Sequence, residues 1–274
     1  RGLRVSTFHR LGLGILQREC KRLDYQPGFS LFAGDDCVAV LQELLRSHGD
    51  RGVEKAERFH WQISSWKNDG IMPEQAITLA EDDIQLRMAR VYGSYQRQLH
   101  AYNAFDLDDL ILQTVQLFSN HDEVLSSWQD RIHYLLVDEY QDTNAMQYQL
   151  VKLLAGRRRC LTAVGDDDQS IYAWRGAKPE NLTQLSKDFP DLKVIKLEQN
   201  YRSTSRILKL ANTLISNNPH IYEKRLWSDL GLGESVRVIQ CHSEDDEAER
   251  VSIELQSHKI QRQTRFRDYA ILYR

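Results

Sequence analysis

The sequence has few of the features that mark secreted, zinc-stabilised or membrane-spanning proteins. Four of its 274 residues are cysteine, and they form no Cys-x-x-Cys pair and have no histidine nearby at metal-ligand spacing. This argues against a disulfide framework and against a structural zinc site. No apolar run approaches the length of a membrane span, and no signal-peptide pattern opens the chain. We therefore expect a protein of a reducing compartment, the cytoplasm. The cysteines are Cys20, Cys37, Cys160 and Cys241.

The sequence also lacks an excess of basic residues. Its formal net charge is −3 and its pI is about 6.3, so bulk electrostatics do not favour binding to nucleic acid. Any surface that binds nucleic acid must therefore be local. Apolar residues make up 41% and charged residues 27% of the chain, which is typical of soluble globular proteins. The length allows two domains, each with its own core.

A phosphate-binding loop of the form Gly-x-x-x-x-Gly-Lys-Ser/Thr does not occur in the 274 residues. The chain starts at Arg1 rather than at a methionine, directly before a strand-like segment, Leu3–Phe8. These two observations predict an incomplete chain. A nucleotide site in it would lack its phosphate-binding loop.

Two regions of the sequence differ in their hydrophobic pattern. From about His9 to Asn120 apolar residues recur at helical spacing, whereas after His133 short apolar runs alternate with helical patterns. The second pattern is typical of parallel βαβ units. We therefore predict an α/β protein, with parallel sheets that carry helices on both faces, joined to an all-α segment. The predicted strands are 133–137, 160–164, 192–198, 235–240 and 269–273, and the predicted helices are 144–155, 179–188, 204–218 and 244–258.

The first acidic motif follows the apolar run Leu135–Val137 and begins with Asp138 and Glu139. A buried parallel strand delivers acids in this way to the carboxyl edge of a sheet. In nucleotide hydrolases the first acid holds magnesium, usually through water, and the second positions or deprotonates the attacking water. Solvated acids that only cap the next helix are the alternative. The residues Tyr140–Asp142 that follow favour the catalytic interpretation.

The second motif places Gln169 just after the acidic stretch 165–168, at the end of the next predicted strand. A neutral amide there can contact both a γ-phosphate and the attacking water. Tyr172 and Trp174 are two residues apart, so in extended backbone they would project to one side and hold a base. Such stacking contributes about 1–3 kcal/mol per base and ignores base identity. Burial in the core is the alternative for both rings, but the segment is loop-like and polar and ends in Arg175.

The third motif, Glu198–Ser203, follows the predicted strand 192–198. Tyr201 can lie flat against an adenine, and Arg202 can reach a γ-phosphate across a cleft. An arginine in such a position contributes about 10³–10⁵ in rate to phosphoryl transfer. Taken alone, the same residues are equally well explained as a helix start capped by Ser203 or Thr204.

Together these segments resemble the signature motifs of superfamily-one DNA helicases of the UvrD/Rep/PcrA group. The resemblance extends over essentially the whole chain. The residues that carry it are Asp138–Gln141, Gly165–Gly176 and Gln199–Ser203, supported by Ser6–His9, Phe105–Leu110 and Glu247–Val251.

The resemblance implies an ATP-dependent enzyme that moves 3′-to-5′ along single-stranded DNA and unwinds duplex DNA in replication or repair. ATP and Mg²⁺ would be its cofactors. Because the phosphate-binding loop that this family carries upstream of Ser6–His9 is missing, we expect the chain alone not to hydrolyse ATP. Asp138 would bind Mg²⁺ through water, and Glu139 would be the second residue of the metal site. Glu139 would also activate the attacking water. Gln169 would couple the γ-phosphate to DNA. Tyr201 would stack on the adenine, and Arg202 would act as the arginine finger.

The resemblance also implies which residues contact DNA. Tyr172, Trp174 and Arg175 would hold the strand, and Thr7 and His9 would contact the backbone of the tracking strand. The expected partners are single-stranded DNA, duplex junctions and proteins of replication or repair, with no membrane association.

By the same likeness the chain contains parts of two RecA-like domains of P-loop NTPase fold that flank an ATP cleft. Residues 1–8 would end the first part of domain one, and residues 9–119 would form an all-α insertion. Residues 120–200 would form the second part of domain one. Residues 201–274 would form the first part of domain two.

Two other functions are compatible with parts of the sequence. A non-catalytic DNA-binding scaffold would keep the fold without hydrolysis. A magnesium-dependent nuclease would use the carboxylates but would leave the glutamine, tryptophan and arginine of the motifs without a role, and cutting of DNA without nucleotide would identify it. The acids available to such a nuclease are Asp106, Asp108, Asp109, Asp138, Glu139 and Asp166–Asp168.

Overall fold

The computed structural model describes residues 2–47 and 53–273, with the side chains of residues 47, 53, 54, 157 and 175 excepted. The chain divides into two compact units. The first contains Arg1–Ile195 and Pro219–Glu223, and the second contains Lys196–Asn218 and Lys224–Arg274.

The first unit is largely helical and contains two small parallel sheets. Its helices are α1 (Phe8–Glu19), α2 (Gly34–Ser47), α3 (Val53–Asn68), α4 (Pro73–Leu79), α5 (Asp83–Ala101), α6 (Asp109–Asn120), α7 (Asp122–Arg131), α8 (Ala145–Ala155) and α9 (Glu180–Asp188). Its strands are β1 (Ser30–Phe32), β2 (Ala104–Asp106), β3 (Leu135–Val137) and β4 (Leu161–Ala163).

Helices α2, α3 and α5 enclose the core of the helical part. The apolar residues of α3 recur every three or four positions, which places them on one face of the helix. That face is buried against α2 and α5. Its members are Ala56, Phe59, Ile63 and Trp66.

A two-stranded parallel sheet lies within this helical part. Strand β1 pairs with β2, so that Leu31 lies beside Phe105. The expectation of an all-α segment over 9–119 is therefore corrected to a mainly helical one. Strands of three residues are too short to show the alternation that identifies a strand in sequence.

A buried charge cluster joins α3 to the start of α6. Lys67 Nζ lies 2.7 Å from Asp106 Oδ2 and 2.9 Å from Asp109 Oδ1, and its side chain is fully buried. Burial disfavours the charged form of Lys67, but the two carboxylates outweigh it and raise the pKa of Lys67. Tyr95 donates a hydrogen bond to Asp106 (3.0 Å), and Gln96 donates one to Asp109 (3.0 Å). The cluster is thus paired and hydrogen-bonded, as buried charges must be.

The second sheet is formed by β3 and β4, which run parallel with Val137 beside Ala163. Helices α8 and α9 cover it through an apolar cluster that includes Val137, Tyr148 and Leu182. Because the strands are parallel, their carboxyl ends lie at the same edge. The sheet thereby brings the residues after β3 next to those after β4.

Several predicted strands do not form in the described part of the chain. Outside the named strands the structure has a single isolated bridge there, between Gln199 and Trp227. The apolar side chains of these segments are open to solvent, with Leu197 81% and Val238 96% exposed. Among the described residues no neighbouring strand pairs with these segments and most of their apolar side chains are uncovered, so nothing stabilises them as sheet. The segments concerned are Leu3–Phe8, 192–198, 235–240 and 269–273.

The helices predicted after His133 are confirmed, with small shifts at their ends. Besides α8 and α9 they are α10 (Ser205–Ile215) and α11 (Glu244–Arg262), which belong to the second unit. The α11 N-terminus is capped by Ser243, which accepts a hydrogen bond from the Asp246 N–H at 3.2 Å. None of the described helices is both long enough and apolar enough to cross a membrane.

Candidate active site

The two acidic motifs meet at the carboxyl edge of the β3–β4 sheet. Backbone pairing continues beyond the strands: the Val164 N–H donates to the Val137 carbonyl (2.8 Å), and the Tyr140 N–H donates to the Val164 carbonyl (2.9 Å). Asp138 and Glu139 lie at this edge, and their side chains are exposed to solvent. The edge therefore presents two carboxylates beside the start of the second motif.

Glu139 has an unusual backbone conformation. Its φ of 49° and ψ of 47° are in the left-handed region, which costs a non-glycine residue about 1–2 kcal/mol. Asp138 Oδ1 accepts a hydrogen bond from the Glu139 N–H at 3.1 Å. Strained residues of this kind occur preferentially at functional sites. This backbone conformation gives the Glu139 side chain a different direction from the one it would have in a regular strand.

A chain of hydrogen bonds connects Glu139 to Gln169. Gln141, 1% exposed, donates from Nε2 to Glu139 Oε2 at 2.8 Å. Its Oε1 accepts from the Asp166 N–H at 3.0 Å. Gln169 Nε2 in turn donates to Asp166 Oδ2 at 2.6 Å. We call these four residues the amide relay. Sequence reasoning included Gln141 in a motif but gave it no role of its own.

Gly165 allows the relay to close. A Cβ on this residue would lie 2.9 Å from Gln141 Oε1 and 3.3 Å from the Gln141 backbone nitrogen. The side-chain oxygen of Gln141 therefore occupies the space that any larger residue at 165 would need. A glycine at the first position of the second motif is thus explained by close packing.

Polar contacts also hold the loops after the strands together. Thr143 Oγ1 donates to the Tyr140 carbonyl at 2.7 Å. The Thr143 carbonyl accepts from the Lys178 N–H (2.9 Å) and from Asn181 Nδ2 (2.9 Å). Tyr140 is fully buried. The end of the first motif is therefore anchored in the interior, while Asp138 and Glu139 are exposed to solvent.

The donor atoms at this edge suit a hard cation. Mg²⁺ prefers oxygen ligands and is usually held by one or two carboxylates with water, and Asp138 and Glu139 supply exposed carboxylates. These two residues therefore fit the predicted magnesium site. That Asp138 and Glu139 hold Mg²⁺ stays a prediction.

Another set of potential ligands lies in the second motif. Among the described residues, Asp167, Asp168 and His220 are the group of three whose ligand atoms lie within 4.8 Å of one another. His220 Nδ1 is 3.0 Å from Asp168 Oδ1, and Asp167 Oδ2 accepts from the Ile221 N–H at 2.8 Å. These contacts fasten Pro219–Glu223 to the first unit. Sequence reasoning missed His220 because about fifty positions separate it from the motif it contacts.

The two rings of the second motif are exposed. Tyr172 is 40% and Trp174 59% exposed, so the alternative that both belong to the core is wrong. The assumption of extended backbone is also wrong, because Tyr172 has φ −105° and ψ 22° and Ala173–Arg175 form a 3-10 turn. The Arg175 side chain lies outside the described residues. Trp174 lies beside Trp61 of α3, with ring centroids 6.4 Å apart, a neighbour that the sequence did not predict.

Thr7 and His9 lie at the start of α1. Thr7 is the N-cap of this helix, and its Oγ1 accepts a hydrogen bond from the Arg10 N–H at 3.3 Å. Thr7 is exposed and His9 is half-buried. Thr7 therefore has a structural role as a helix cap, and the DNA contacts of both residues stay predictions.

The third motif belongs to the second unit. Tyr201 is 79% exposed, and its hydroxyl donates to Gln199 Oε1 at 2.8 Å. Asn200 Oδ1 accepts from the backbone N–H groups of Arg202 (2.9 Å) and Ser203 (2.8 Å). The turn that carries Tyr201 and Arg202 is thus fixed by Asn200, and both side chains are presented to solvent.

The acids of a possible nuclease are not gathered in one place. Asp106 and Asp109 are buried, 4% and 0% exposed, and both are paired with Lys67. Carboxylates neutralised in this way by a buried lysine do not add to the exposed pair Asp138 and Glu139. The structure therefore argues against a nuclease site that combines all of these acids.

Comparison with known proteins identifies the family. Residues 1–190 match the family model of the UvrD/REP helicase N-terminal domain, and residues 195–274 match that of the UvrD-like helicase C-terminal domain. The chain belongs to the UvrD/Rep helicase family. Membership implies a P-loop NTPase fold, and the parallel β3–β4 sheet covered by helices is part of what the described chain contributes to it.

Curated relatives of this UvrD/Rep family chain are named as helicases. It is 53% identical over 274 residues to the "ATP-dependent DNA helicase Rep" of Salmonella typhimurium and to that of Escherichia coli, which is 100% of this chain and 41% of each relative. It is 41% identical over 271 residues to the "ATP-dependent DNA helicase PcrA" of Staphylococcus aureus, covering 98% of this chain and 37% of the relative. The chain thus spans about two fifths of the length of the curated relatives it matches.

Proposed function

We propose that this chain is the part of an ATP-dependent 3′-to-5′ DNA helicase that links ATP hydrolysis to single-stranded DNA. The observation that carries the proposal is the amide relay. It joins an exposed carboxylate, Glu139, to Gln169, which lies three residues before Tyr172 and five before Trp174. The names of the Rep and PcrA relatives support ATP and DNA as the two ligands.

Within this proposal the chain contributes to two RecA-like domains. Residues 1–8 and 120–200 belong to the first, residues 9–119 form its mainly helical insertion, and residues 201–274 begin the second. The two family-model matches, 1–190 and 195–274, support a boundary near this point. Each of the two domains carries motifs that the proposal assigns to ATP binding.

Hydrolysis would depend on the acids at the carboxyl edge of the β3–β4 sheet. Glu139 would orient the attacking water and accept its proton, and the hydrogen bond from Gln141 fixes the carboxylate that does so. Asp138 would hold Mg²⁺ through water, and the ion would supply charge compensation to the phosphates. Water oriented in advance lowers the entropic part of the barrier.

Gln169 would report the state of the γ-phosphate to the loop that binds DNA. Its side-chain amide is bonded to Asp166, so a new contact with a phosphate oxygen would compete with that bond. A shift of Gln169 would then move the 3-10 turn Ala173–Arg175. The relay would thereby couple the presence of ATP to the position of Trp174.

Residues of the second unit would complete the nucleotide site. Tyr201 would stack on the adenine, and Arg202 would stabilise the charge that develops on the transferred phosphoryl group. Both side chains are exposed and are carried by a turn fixed through Asn200. An arginine finger contributes about 10³–10⁵ in rate.

DNA would be held by stacking and by contacts with its backbone. Tyr172 and Trp174 would receive bases, and Arg175, Thr7 and His9 would contact phosphates. The net charge of −3 makes stacking the more important contribution, because little of the affinity can come from general attraction to phosphates.

The test uses a hybrid protein in which residues 1–274 replace the matching segment of the Escherichia coli Rep relative. We expect the hybrid to hydrolyse ATP in the presence of single-stranded DNA and to separate a duplex with a 3′ tail. Glu139→Gln should slow hydrolysis by about 10²–10⁴ and leave binding of an oligonucleotide unchanged. Trp174→Ala should weaken that binding.

Three outcomes would contradict the proposal. Unchanged hydrolysis in Glu139→Gln would remove the assigned role of Glu139. Cleavage of DNA that needs Mg²⁺ but no nucleotide would identify a nuclease. A hybrid that binds DNA but neither hydrolyses ATP nor unwinds would indicate a non-catalytic scaffold.

A further inference from the structure

Trp61 is an exposed tryptophan on a helix whose core face is already complete. The buried side chains of α3 recur at positions 56, 59, 63 and 66, which form one stripe along the helix. Trp61 lies off this stripe and is 60% exposed. Core packing therefore does not account for a large ring at this position. A large exposed apolar side chain is typical of an interaction site when it belongs to a contiguous apolar patch.

Trp61 lies next to the exposed ring of Trp174. Their ring centroids are 6.4 Å apart, and the ring planes are inclined by 32°. Both rings keep more than half of their surface exposed, 60% for Trp61 and 59% for Trp174. Because the planes are closer to parallel than to perpendicular, the two indoles offer two similarly oriented faces side by side.

Polar contacts hold α3 and the Trp174 loop in this arrangement. At the end of α3, Asp69 forms an ion pair with Lys178, which follows the loop. Asn68 Oδ1 accepts a hydrogen bond from Asn144 Nδ2 at 2.5 Å. The Lys178 N–H also donates to the Thr143 carbonyl at 2.9 Å. These polar contacts between neighbouring residues hold the two rings next to each other, which favours a preorganised surface.

We propose that Trp61 is a second base-stacking residue, which receives the base next to the one that Trp174 holds. The inference rests on the proposed function. Successive bases of a strand are about 3.4 Å apart when stacked, so rings 6.4 Å apart lie within reach of neighbouring bases of a strand that is partly unstacked. Aromatic rings recognise bases through their π-faces without preference for sequence. The surface therefore takes single-stranded nucleic acid of any sequence.

The experiment measures binding of the 274-residue chain to fluorescent oligothymidine of about 12 nucleotides, by fluorescence anisotropy. A second ligand of the same length carries abasic sites in place of the bases. We expect Trp61→Ala and Trp61→Leu each to weaken binding of oligothymidine about five- to twentyfold, at the lower end of what one stacking ring contributes. Trp61→Phe keeps a π-face and should bind within about twofold of the original chain.

Two controls separate stacking from a structural role. Leu79→Ala removes an apolar side chain of the same exposure, 59%, from the neighbouring helix α4 and should leave binding unchanged. The abasic ligand should bind equally to the original chain and to Trp61→Ala, because it has no base that could stack on Trp61. If Trp61→Ala weakens both ligands equally, the contact that is lost is not with a base, and the inference is overturned.

The remaining outcomes distinguish this inference from the proposed function. If Trp174→Ala weakens binding of oligothymidine and both Trp61→Ala and Trp61→Leu do not, the inference fails and the proposed function stands. If the original chain binds both ligands equally well, the bases contribute nothing to binding, and the stacking roles of Trp174 and Trp61 both fail. If the original chain binds neither ligand, all of its proposed DNA contacts fail, and the inference fails with them. Trp61→Leu fills the apolar space of the ring, so a loss shared by Leu and Ala but absent in Phe assigns the effect to the π-face.

Discussion

Gln141 donates a hydrogen bond to Glu139 at 2.8 Å although Gln141 is almost fully buried and Glu139 is exposed. A buried side chain thus orients an exposed carboxylate. The other end of the same amide accepts from the Asp166 N–H, so one buried group fixes both motif loops. Preorganised donors of this kind are effective because they need no rearrangement during reaction.

Replacement of Gln141 by leucine tests this arrangement. We expect Gln141→Leu to lower the free energy of unfolding by about 1–3 kcal/mol, because the Asp166 N–H loses its partner. Gln17→Leu, at an exposed position of α1, should change it by less than about 0.5 kcal/mol. Urea denaturation followed by circular dichroism measures both. Equal stability of the two variants would show that the relay adds nothing to the fold.

Gly165 is expected to reject even a methyl group. Gly165→Ala places a Cβ about as close to Gln141 Oε1 as a hydrogen-bond partner, so the glutamine must move or the loop must shift. We expect a loss of about 1–3 kcal/mol in the free energy of unfolding, typical of overpacking. At Gly34 a Cβ would meet nothing within 4 Å, and Gly34→Ala is the matched control. A Gly165→Ala protein as stable as the control would contradict the close approach.

Lys67 is expected to be essential for the stability of the helical part. Lys67→Met leaves Asp106 and Asp109 buried without a counter-charge, which costs about 3–5 kcal/mol. Arg22 forms an ion pair with Glu123 at the surface, and Arg22→Met should cost less than about 1 kcal/mol. Thermal unfolding of both variants measures the difference. A small effect of Lys67→Met would mean that the carboxylates become protonated at little cost.

The stability of the chain should carry a pH dependence from Asp109. Burial and the neighbouring Asp106 carboxylate raise the pKa of Asp109 from 3.8 to about 6. An acid with a raised pKa in the folded state contributes stability that is fully present below its ordinary pKa and is lost as the pH rises through the raised value. The stability of the original chain relative to Asp109→Asn should therefore increase as the pH falls from 7 to 5.

The comparison with Asp109→Asn isolates this group. The pKa of Asp106 is lowered, since Lys67 outweighs the effect of burial, so Asp106 loses its charge only at more acidic pH. Carboxylates far from the Lys67 cluster titrate alike in both proteins and cancel in the difference. Urea denaturation at pH 7, 6 and 5 gives the values. A difference that shrinks toward pH 5 would show that Lys67 holds Asp109 ionised.

The sequence predicted the two strands that carry the acidic motifs, but it also predicted strands that do not form among the described residues. Apolar runs that end in Asp138 and before Gln169 predicted neighbouring strand ends, and β3 and β4 are parallel neighbours. The relay itself was not predictable, because the partners of Gln141 depend on the left-handed turn at Glu139. The runs 235–240 and 269–273 have strand composition, but a strand also needs a partner beside it, which composition alone does not supply.

Other features escaped the sequence because they depend on distant residues. Lys67 is one of several charged residues in α3, and only the fold shows that it is buried between two aspartates. Residue type alone does not distinguish the exposed Trp61 from the buried Trp66, which lies five positions further along the same helix. Helical phase separates the two, and the phase is read from the buried neighbours at positions 59 and 63.

The left-handed backbone of Glu139 has a consequence for protein engineering. A thermostabilisation protocol that replaces strained non-glycine residues with glycine or asparagine would select this position among its first targets. The substitution would relax the turn and discard the carboxylate that we assign to water activation. A library screened only for heat resistance would therefore enrich proteins that are stably folded but no longer hydrolyse ATP.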